Sequence, residues 1–459
     1  MPNMINIRNH FIQLLLITIV SLMGCDKKIL HNSSDTNHLL ISSLEDVQAL
    51  LDNMEIMGEM PAAGEISCDD YYLPDLAFNT ISANEFNTYT WQPDIYEGRT
   101  NIEDWERPYK QVFYANTVLE ALPHLDAFGN LLYKNRLQGS ALFMRAFAFF
   151  QIAQLYANTY NNSTANNDLG IPLRTTPNPE IPTTRSTLQA SYDQIIKDLK
   201  DAAILLPATI DNNRKNRPSQ AAAYGSLARV YLIMGNYNIA RKYADSCLKL
   251  HSKITDYNTA ISALPKPFTA NQDEVIYQAH ILSNTDILDH PECYIDSNLF
   301  RSYSDKDLRK SLFFKNNIQG LPVPGYNYTG TLLRFAGLAT DEIILIKAEC
   351  EARLGNTDKA IQDLNTLLIK RMKKGSFIAL TANSTQEALA MVLQERRKEL
   401  VLRGIRWSDI RRFHRENSSV TLTRNCKGQT YTLSGNDARF VLPIPPDVIR
   451  LSGVAQNPR

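Results

Sequence analysis

The segment Ala228-Arg229-Val230-Tyr231-Leu232-Ile233-Met234-Gly235-Asn236, followed by Ala240 and Leu248, recurs 120 residues later. The second copy reads Ala348-Glu349-Cys350-Glu351-Ala352-Arg353-Leu354-Gly355-Asn356, followed by Ala360 and Leu368. Each copy reads as an apolar helix, a Gly-Asn turn and a second helix. Glycine accepts positive φ at a helix end without a Cβ clash, and small alanines let paired helices approach closely. The match predicts two helix hairpins, with Gly235 and Gly355 ending helices at equivalent places and Ala228, Ala240, Ala348 and Ala360 buried. Between the copies lies an irregular stretch, about 252–337, with its own Pro, Gly and Tyr content. It reads as a strand-and-loop insertion, and its length argues against a tandem solenoid.

Helical patterns extend outward from this pair. Ser43 reads as an N-cap for a first helix carrying Leu44, Val47, Leu50, Leu51 and Met54. A second pattern joins Trp105, Tyr109, Val112, Asn116 and Leu119. The stretch from Gly139 to Tyr160 is apolar nearly all round, which predicts a helix buried on most sides. Another helix is expected from Thr187 to Leu206. The hairpins resemble tetratricopeptide units. The expected fold is mainly α, a tetratricopeptide-like helix-pair scaffold joined to an irregular half of loops and short strands. Part of that half is a section punctuated by Pro61, Gly64, Pro74, Asn79, Asn84 and Asn87, with loop aromatics from Tyr71 to Tyr96.

The N-terminus sets the compartment. Arg8 and an apolar run from Phe11 to Val20 precede Leu22-Met23-Gly24-Cys25. The run has signal-peptide length and is too short to span a bilayer comfortably. A small residue directly before a cysteine resembles a bacterial lipobox, which implies cleavage before Cys25 and lipid on its sulfur and new amino group. Several acyl chains anchor far better than one. The organisation expected is a signal peptide over 1–24, a lipidated tether over 25–42 and a single domain over 43–459.

Composition narrows the function. Forty-eight basic and 48 acidic residues cancel, so neither nucleic acid nor an anionic membrane surface is favoured as the main partner. The five other cysteines are odd in number and widely spaced with no CxxC, which argues against a zinc site or a disulfide framework. HExxH, GxSxG, Walker A and GxGxxG are absent from the sequence. The Asp69-Asp70 and Asp305-Lys306-Asp307 groups do not continue into a calcium-loop spacing and read as loop caps. From Glu395 to Phe413, Glu399 and Arg403 are four apart, and Asp409 is three from Arg406 and Arg412. This spacing reads as a charge-paired helix lying on the scaffold.

Taken in order, four segments resemble the SusD/RagB family of outer-membrane nutrient-binding lipoproteins. They are Trp105…Tyr109…Ala115-Asn116…Leu119, then Ala141…Met144-Arg145-Ala146…Phe149…Leu155-Tyr156, then Asp341-Glu342-Ile343…Lys347-Ala348-Glu349…Gly355…Ala360…Leu364-Asn365 running on to Glu395-Arg396…Glu399-Leu400…Gly404-Ile405-Arg406-Trp407…Asp409, and finally Leu442-Pro443-Ile444-Pro445 with Gln456-Asn457-Pro458. Arg403 departs from the pattern, standing where many relatives carry Glu. The resemblance implies four tetratricopeptide-like helix pairs and a less regular ligand-facing half. It implies an outer-membrane location facing outward, and a SusC-like, TonB-dependent β-barrel partner over which the lipoprotein sits as a lid. The ligand implied is an oligosaccharide or an oligopeptide. No catalytic residue, cofactor or metal transfers with it. Two rival classes remain, a cell-surface glycoside hydrolase and a tetratricopeptide adaptor for protein segments; product release marks the first, and binding independent of a nutrient marks the second.

Sugars present C–H faces that aromatic rings bury. The candidate ligand residues are therefore Tyr89, Trp91 and Tyr96 in the first loop-rich section and Tyr294, Tyr326 and Tyr328 in the insertion, with Asp94 taking hydroxyl hydrogen bonds beside Trp91. Trp91 has no evident helical face to join. Its replacement by Ala is expected to weaken binding while leaving unfolding nearly unchanged.

Overall fold

Ser43 closes a capping box at the start of the first helix. Its hydroxyl accepts from the Asp46 N–H at 3.1 Å, and the Asp46 carboxylate accepts from the Ser43 N–H at 3.0 Å. The computed structural model describes residues 41–127, 129–269, 271–416 and 420–459. Cys25, the leader and nearly all of the expected tether lie outside the described residues. The principal helices are α1 (Leu44–Leu51), α2 (Glu103–Ala121), α3 (Leu131–Tyr156), α4 (Leu188–Leu205), α5 (Gln220–Met234), α6 (Tyr237–Leu250), α7 (Thr340–Arg353), α8 (Thr357–Leu368), α9 (Thr385–Glu399) and α10 (Arg406–Arg415). Among the described residues no helix is long and apolar enough to cross a membrane.

Consecutive helices pack side by side from α2 to α8, and α9 lies against α7 and α8. Helix α3 is buried all round from Gly139 onward, apart from a partly covered Gln151, as its sequence requires. Gly139 lets α4 come close, since a Cβ there would sit 3.0 Å from Leu205 Cβ. Arg145 is buried yet satisfied, donating to Asp198 at 2.7 and 2.8 Å and to Asn116 at 2.9 Å, which ties α3 to both neighbours.

The two matched hairpins turn alike. Gly235 and Gly355 have φ of +78° and +86°. The N–H of Asn236 reaches Tyr231 O and that of Asn356 reaches Glu351 O, each at 2.9 Å. Ala228, Ala240, Ala348 and Ala360 are fully buried. One expectation is overturned. The stretch between the copies does not interrupt the array, because α6 packs directly on α7. Chain order is not spatial order, and an insertion whose ends meet leaves a stack whole.

The insertion is held by two-residue and three-residue strands. Tyr71–Tyr72 pairs antiparallel with Tyr294–Ile295, Glu59–Met60 parallel with His280–Ile281, and Val275–Tyr277 antiparallel with Leu338–Ala339. Near the C-terminus, Leu422–Cys426 and Gln429–Leu433 form a hairpin. Residues 43–459 cluster as one unit.

The charged segment from Glu395 to Phe413 corrects a second expectation. It is two helices, because Leu402 and Gly404 take φ of +57° and +71°. Glu399 and Arg403 therefore do not pair. Glu399 accepts from Arg371 at 2.7 Å and Arg309 at 2.9 Å, while Arg403 reaches Asp341 at 2.7 Å. Arg371 also reaches Glu274 at 2.5 Å, and Arg309 reaches Asp307 and Glu395 at 2.7 and 2.6 Å. These groups are buried, so the segment is an ionic seam between scaffold and insertion rather than a solvated face. The expected i,i+3 contact between Asp409 and Arg412 is present at 2.9 Å.

Candidate ligand cleft

Alternation along Tyr71–Tyr72 turns one ring inward and the other outward. Tyr71 is buried, and Tyr72 is 38% exposed. The chain then forms a short helix, Ala83–Tyr89, and turns sharply at Trp91, whose φ is +54°. That turn drives the indole inward, where its N–H donates to Ser67 O at 3.0 Å. From the C-terminal hairpin, Arg424 lies 3.3 Å from the Tyr89 ring centroid, 4.8 Å from Trp91 and 5.5 Å from Tyr71. Its Nη2 donates to the carbonyls of Ile66 and Cys68. A guanidinium over ring faces is attracted by their quadrupoles and covers those faces.

Above this layer is a cleft of about 310 Å³, walled by Tyr72, Tyr89, Trp91 and Arg424, with Asp69, Asp296, Ser297, Thr423 and Asn425 among its polar groups. Tyr294 backs Tyr72 at 5.6 Å between ring centroids, and its hydroxyl donates to Glu292 at 3.1 Å. Asp69 sits between Arg406, at 2.6 and 2.9 Å, and Arg397 at 3.2 Å. Burial raises its carboxyl, but the two guanidiniums outweigh burial and hold it down at about 2. The loop-cap role expected for Asp69-Asp70 is replaced by ion pairs, since Asp70 also meets Arg397 at 3.3 Å. Asp307 does act as a loop cap, accepting from the Arg309 N–H at 3.1 Å, and it also pairs with the Arg309 and Lys398 side chains. Burial pushes Asp70 up to about 6, helped by the Asp69 carboxylate, and Glu65 up to about 7, helped by Asp70.

The seven candidates separate into three places. Tyr89 and Trp91 wall the cleft and Tyr294 supports it from behind. Tyr96 is buried, donating its hydroxyl to Pro443 O at 2.8 Å, and exposed Asp94 accepts from the N–H groups of Tyr96 and Glu97 at 2.9 and 3.1 Å. Tyr326 and Tyr328 line a separate cavity of about 50 Å³. There Tyr328 is buried, its hydroxyl 2.6 Å from that of Tyr257 and 3.1 Å from Asp341. Trp91, at 3% exposure, lies just past the end of the Ala83–Tyr89 helix and is buried beneath Arg424, so its removal is expected to cost stability rather than leave unfolding unchanged.

Sequence reasoning passed over Tyr72, Asp296 and Arg424. A signal for Arg424 existed, because Leu422, Arg424 and Cys426 share the buried phase of their strand. A second buried acidic group, Glu274, Asp341 and Glu399, has the spacing of a metal site. Its oxygens are already taken by Arg371, Arg403 and Arg309.

Two family models match the chain. Residues 28–232 match one described as starch-binding and associating with the outer membrane, and residues 315–459 match that of the SusD family. No curated protein matches the sequence. Solved structures are similar over nearly their whole length. A SusD superfamily protein from Bacteroides thetaiotaomicron has a TM-score of 0.73 at 20% identity, covering 91% of this chain and 100% of its own. A SusD-like carbohydrate binding protein from Bacteroides vulgatus gives 0.66 at 20%, covering 90% and 97%. A SusD superfamily protein from Bacteroides fragilis gives 0.69 at 21%, covering 90% and 99%. With both family models matching and the fold shared, this chain belongs to the SusD/RagB family.

Proposed function

We propose that this protein is an outer-membrane lipoprotein, anchored through Cys25, that binds an oligosaccharide and passes it to a SusC-like, TonB-dependent β-barrel. The observation that carries the ligand class is Tyr72. It is an open ring, backed by Tyr294 and set among hydroxyl, amide and carboxylate groups in a cleft of about 310 Å³. A flat ring beside hydrogen-bonding groups suits a sugar's C–H face and hydroxyls, and a supported ring loses little freedom on binding. The starch-binding description of the matching model and the carbohydrate-binding relative point the same way. The outer-membrane location follows from the same description and from the lipobox.

Binding without hydrolysis fits the carboxylates of this cleft. A glycosidase needs a carboxyl that holds a proton for the leaving group. Asp69 is held ionised by Arg406 and Arg397, and Asp296 is occupied in capping the Leu299 N–H at 2.8 Å. The test is a glycan array run beside a peptide library on the purified lipid-free protein, with product analysis of every bound glycan. Retention of intact oligosaccharides supports the reading. Capture of peptides alone, or release of shortened sugars, overturns it.

A further inference from the structure

Where α9 gives way to α10, the chain encloses a second polar space. It is a cavity of about 20 Å³, walled by Gln154 and Phe150 of α3, Arg229 of α5, Arg396 of α9, Arg403 of the break and Ser408 of α10. That volume holds one water-sized particle. Arg396 and Arg403 are 1% and 8% exposed. Each pairs with a carboxylate through one nitrogen only, Arg396 Nε with Asp409 at 2.8 Å and Arg403 Nη1 with Asp341 at 2.7 Å. Arg396 Nη1, Arg403 Nε and Arg403 Nη2 are buried and have no hydrogen-bond partner among the described residues, although the Arg403 guanidinium lies 4.8 Å from the Phe335 ring centroid. Leaving a charged donor buried and unpaired is among the costlier defects a fold can carry. Three such donors on two arginines at one cavity call for an acceptor that the chain does not supply.

The charges around the cavity lean the same way. Arg229 is matched by Glu342, Arg396 and Arg412 share Asp409 and Glu349, and Arg403 has Asp341. Arg411, fully buried beside them, donates only to the carbonyls of Gln154 and Ala157. No carboxylate faces it among the described ion pairs. Five guanidiniums thus stand against four carboxylates. Glu65, whose carboxyl accepts from the Gly404 N–H at 2.7 Å on the cavity's edge, is pushed up to about 7 by burial and adds little negative charge below neutrality. A neutral water has two lone pairs for three donors and brings two hydrogens of its own. A small anion accepts from all three and offsets the excess charge.

We propose that this cavity binds one small monoanion of halide size, held by the free N–H groups of Arg396 and Arg403. The ion fastens the Leu402–Gly404 break to α9, so it stabilises the junction between α9 and α10 rather than touching the ligand cleft. Two measurements test it. Crystals of the whole protein grown or soaked in bromide should give one anomalous peak within hydrogen-bond distance of Arg396 Nη1 and the Arg403 guanidinium. Thermal unfolding should occur about 1–3 °C higher in sodium chloride than in sodium gluconate of equal ionic strength, the size expected when a folded-state ligand saturates a protein this large. Arg403→Lys, which keeps the charge but removes the forked donors, should abolish that difference. Because this variant could fold poorly, the bromide experiment on the unaltered protein stands by itself. A cavity holding density without anomalous signal is a water, and that result overturns the proposal, as does equal unfolding in the two salts.

Discussion

Arg424 decides which rings a ligand can reach. By lying on Tyr89 and Trp91 it turns two candidate platforms into the floor of the cleft and leaves Tyr72 as the open one. Tyr72→Ala is therefore expected to weaken oligosaccharide binding by ~1–3 kcal/mol, as for truncation of an aromatic anchor, with thermal unfolding nearly unchanged. Trp91→Ala removes a buried indole and its bond to Ser67, and should cost ~3–5 kcal/mol of stability. Calorimetric titration and denaturant unfolding of the two variants separate these roles; a stable Trp91→Ala protein with lost affinity would return the platform to Trp91. The aromatic wealth of this region was legible in the sequence. Which faces stay open was not, because that depends on a cation from residue 424 and on a positive φ at Trp91, neither of which leaves a local periodic trace.

At the level of elements, the helix hairpins were readable because a 3.6-residue apolar period and a Gly-Asn end are local signals. Gly355 tests this most cleanly. Its φ is +86° and nothing lies within 4 Å of where a Cβ would be, so Gly355→Ala should cost about 1 kcal/mol from backbone strain alone. Gly235→Ala should cost more, because its Cβ would lie 2.9 Å from Arg415 Nη2, and Arg415 Nη1 is bonded to Tyr160 O and Ile233 O. Urea unfolding of both variants gives the comparison, and equal losses would show that Arg415 yields freely. The ionic seam was not readable, since its partners are up to 97 residues apart along the chain, as with Glu274 and Arg371. A buried ion pair need not be a net gain, but breaking one leaves a charge stranded. Glu399→Gln, which strips Arg371 and Arg309 of a shared carboxylate, should destabilise by ~3–5 kcal/mol in the same assay. A loss under ~1 kcal/mol would mean that the seam rearranges around the amide.

For the molecule as a whole, two sets of buried and half-buried carboxyls oppose each other on the pH axis. Burial raises Asp69, Asp307 and Asp409, yet their guanidinium or ammonium partners outweigh it and hold each at about 2. Their stabilisation is complete above the ordinary value of 3.8 and is lost as pH falls from there toward 2. Glu65 and Glu85 run the other way, pushed up by burial to about 7 from an ordinary 4.5. The folded state holds their protons more tightly, so stability should fall as pH rises from about 4.5 to 7. Unfolding followed across pH should therefore peak at mildly acidic values, and Glu65→Gln should flatten the upper limb; an unchanged limb would exonerate Glu65. At the same scale, Cys25→Ser should move the protein from the membrane to the soluble fraction. An unmodified Cys25 in the mass spectrum of the natural protein would end the lipid-anchor reading.

Because α6 and α7 lie side by side, the chain leaves the stack at residue 251 and re-enters it beside its point of departure. Such a loop behaves as a cassette. Its length and its outer surface are free to drift so long as Glu274, Asp307 and Arg309 still find their sockets on α9 and Arg371. A chimaera carrying another member's cassette, with those three residues kept, should fold on this scaffold.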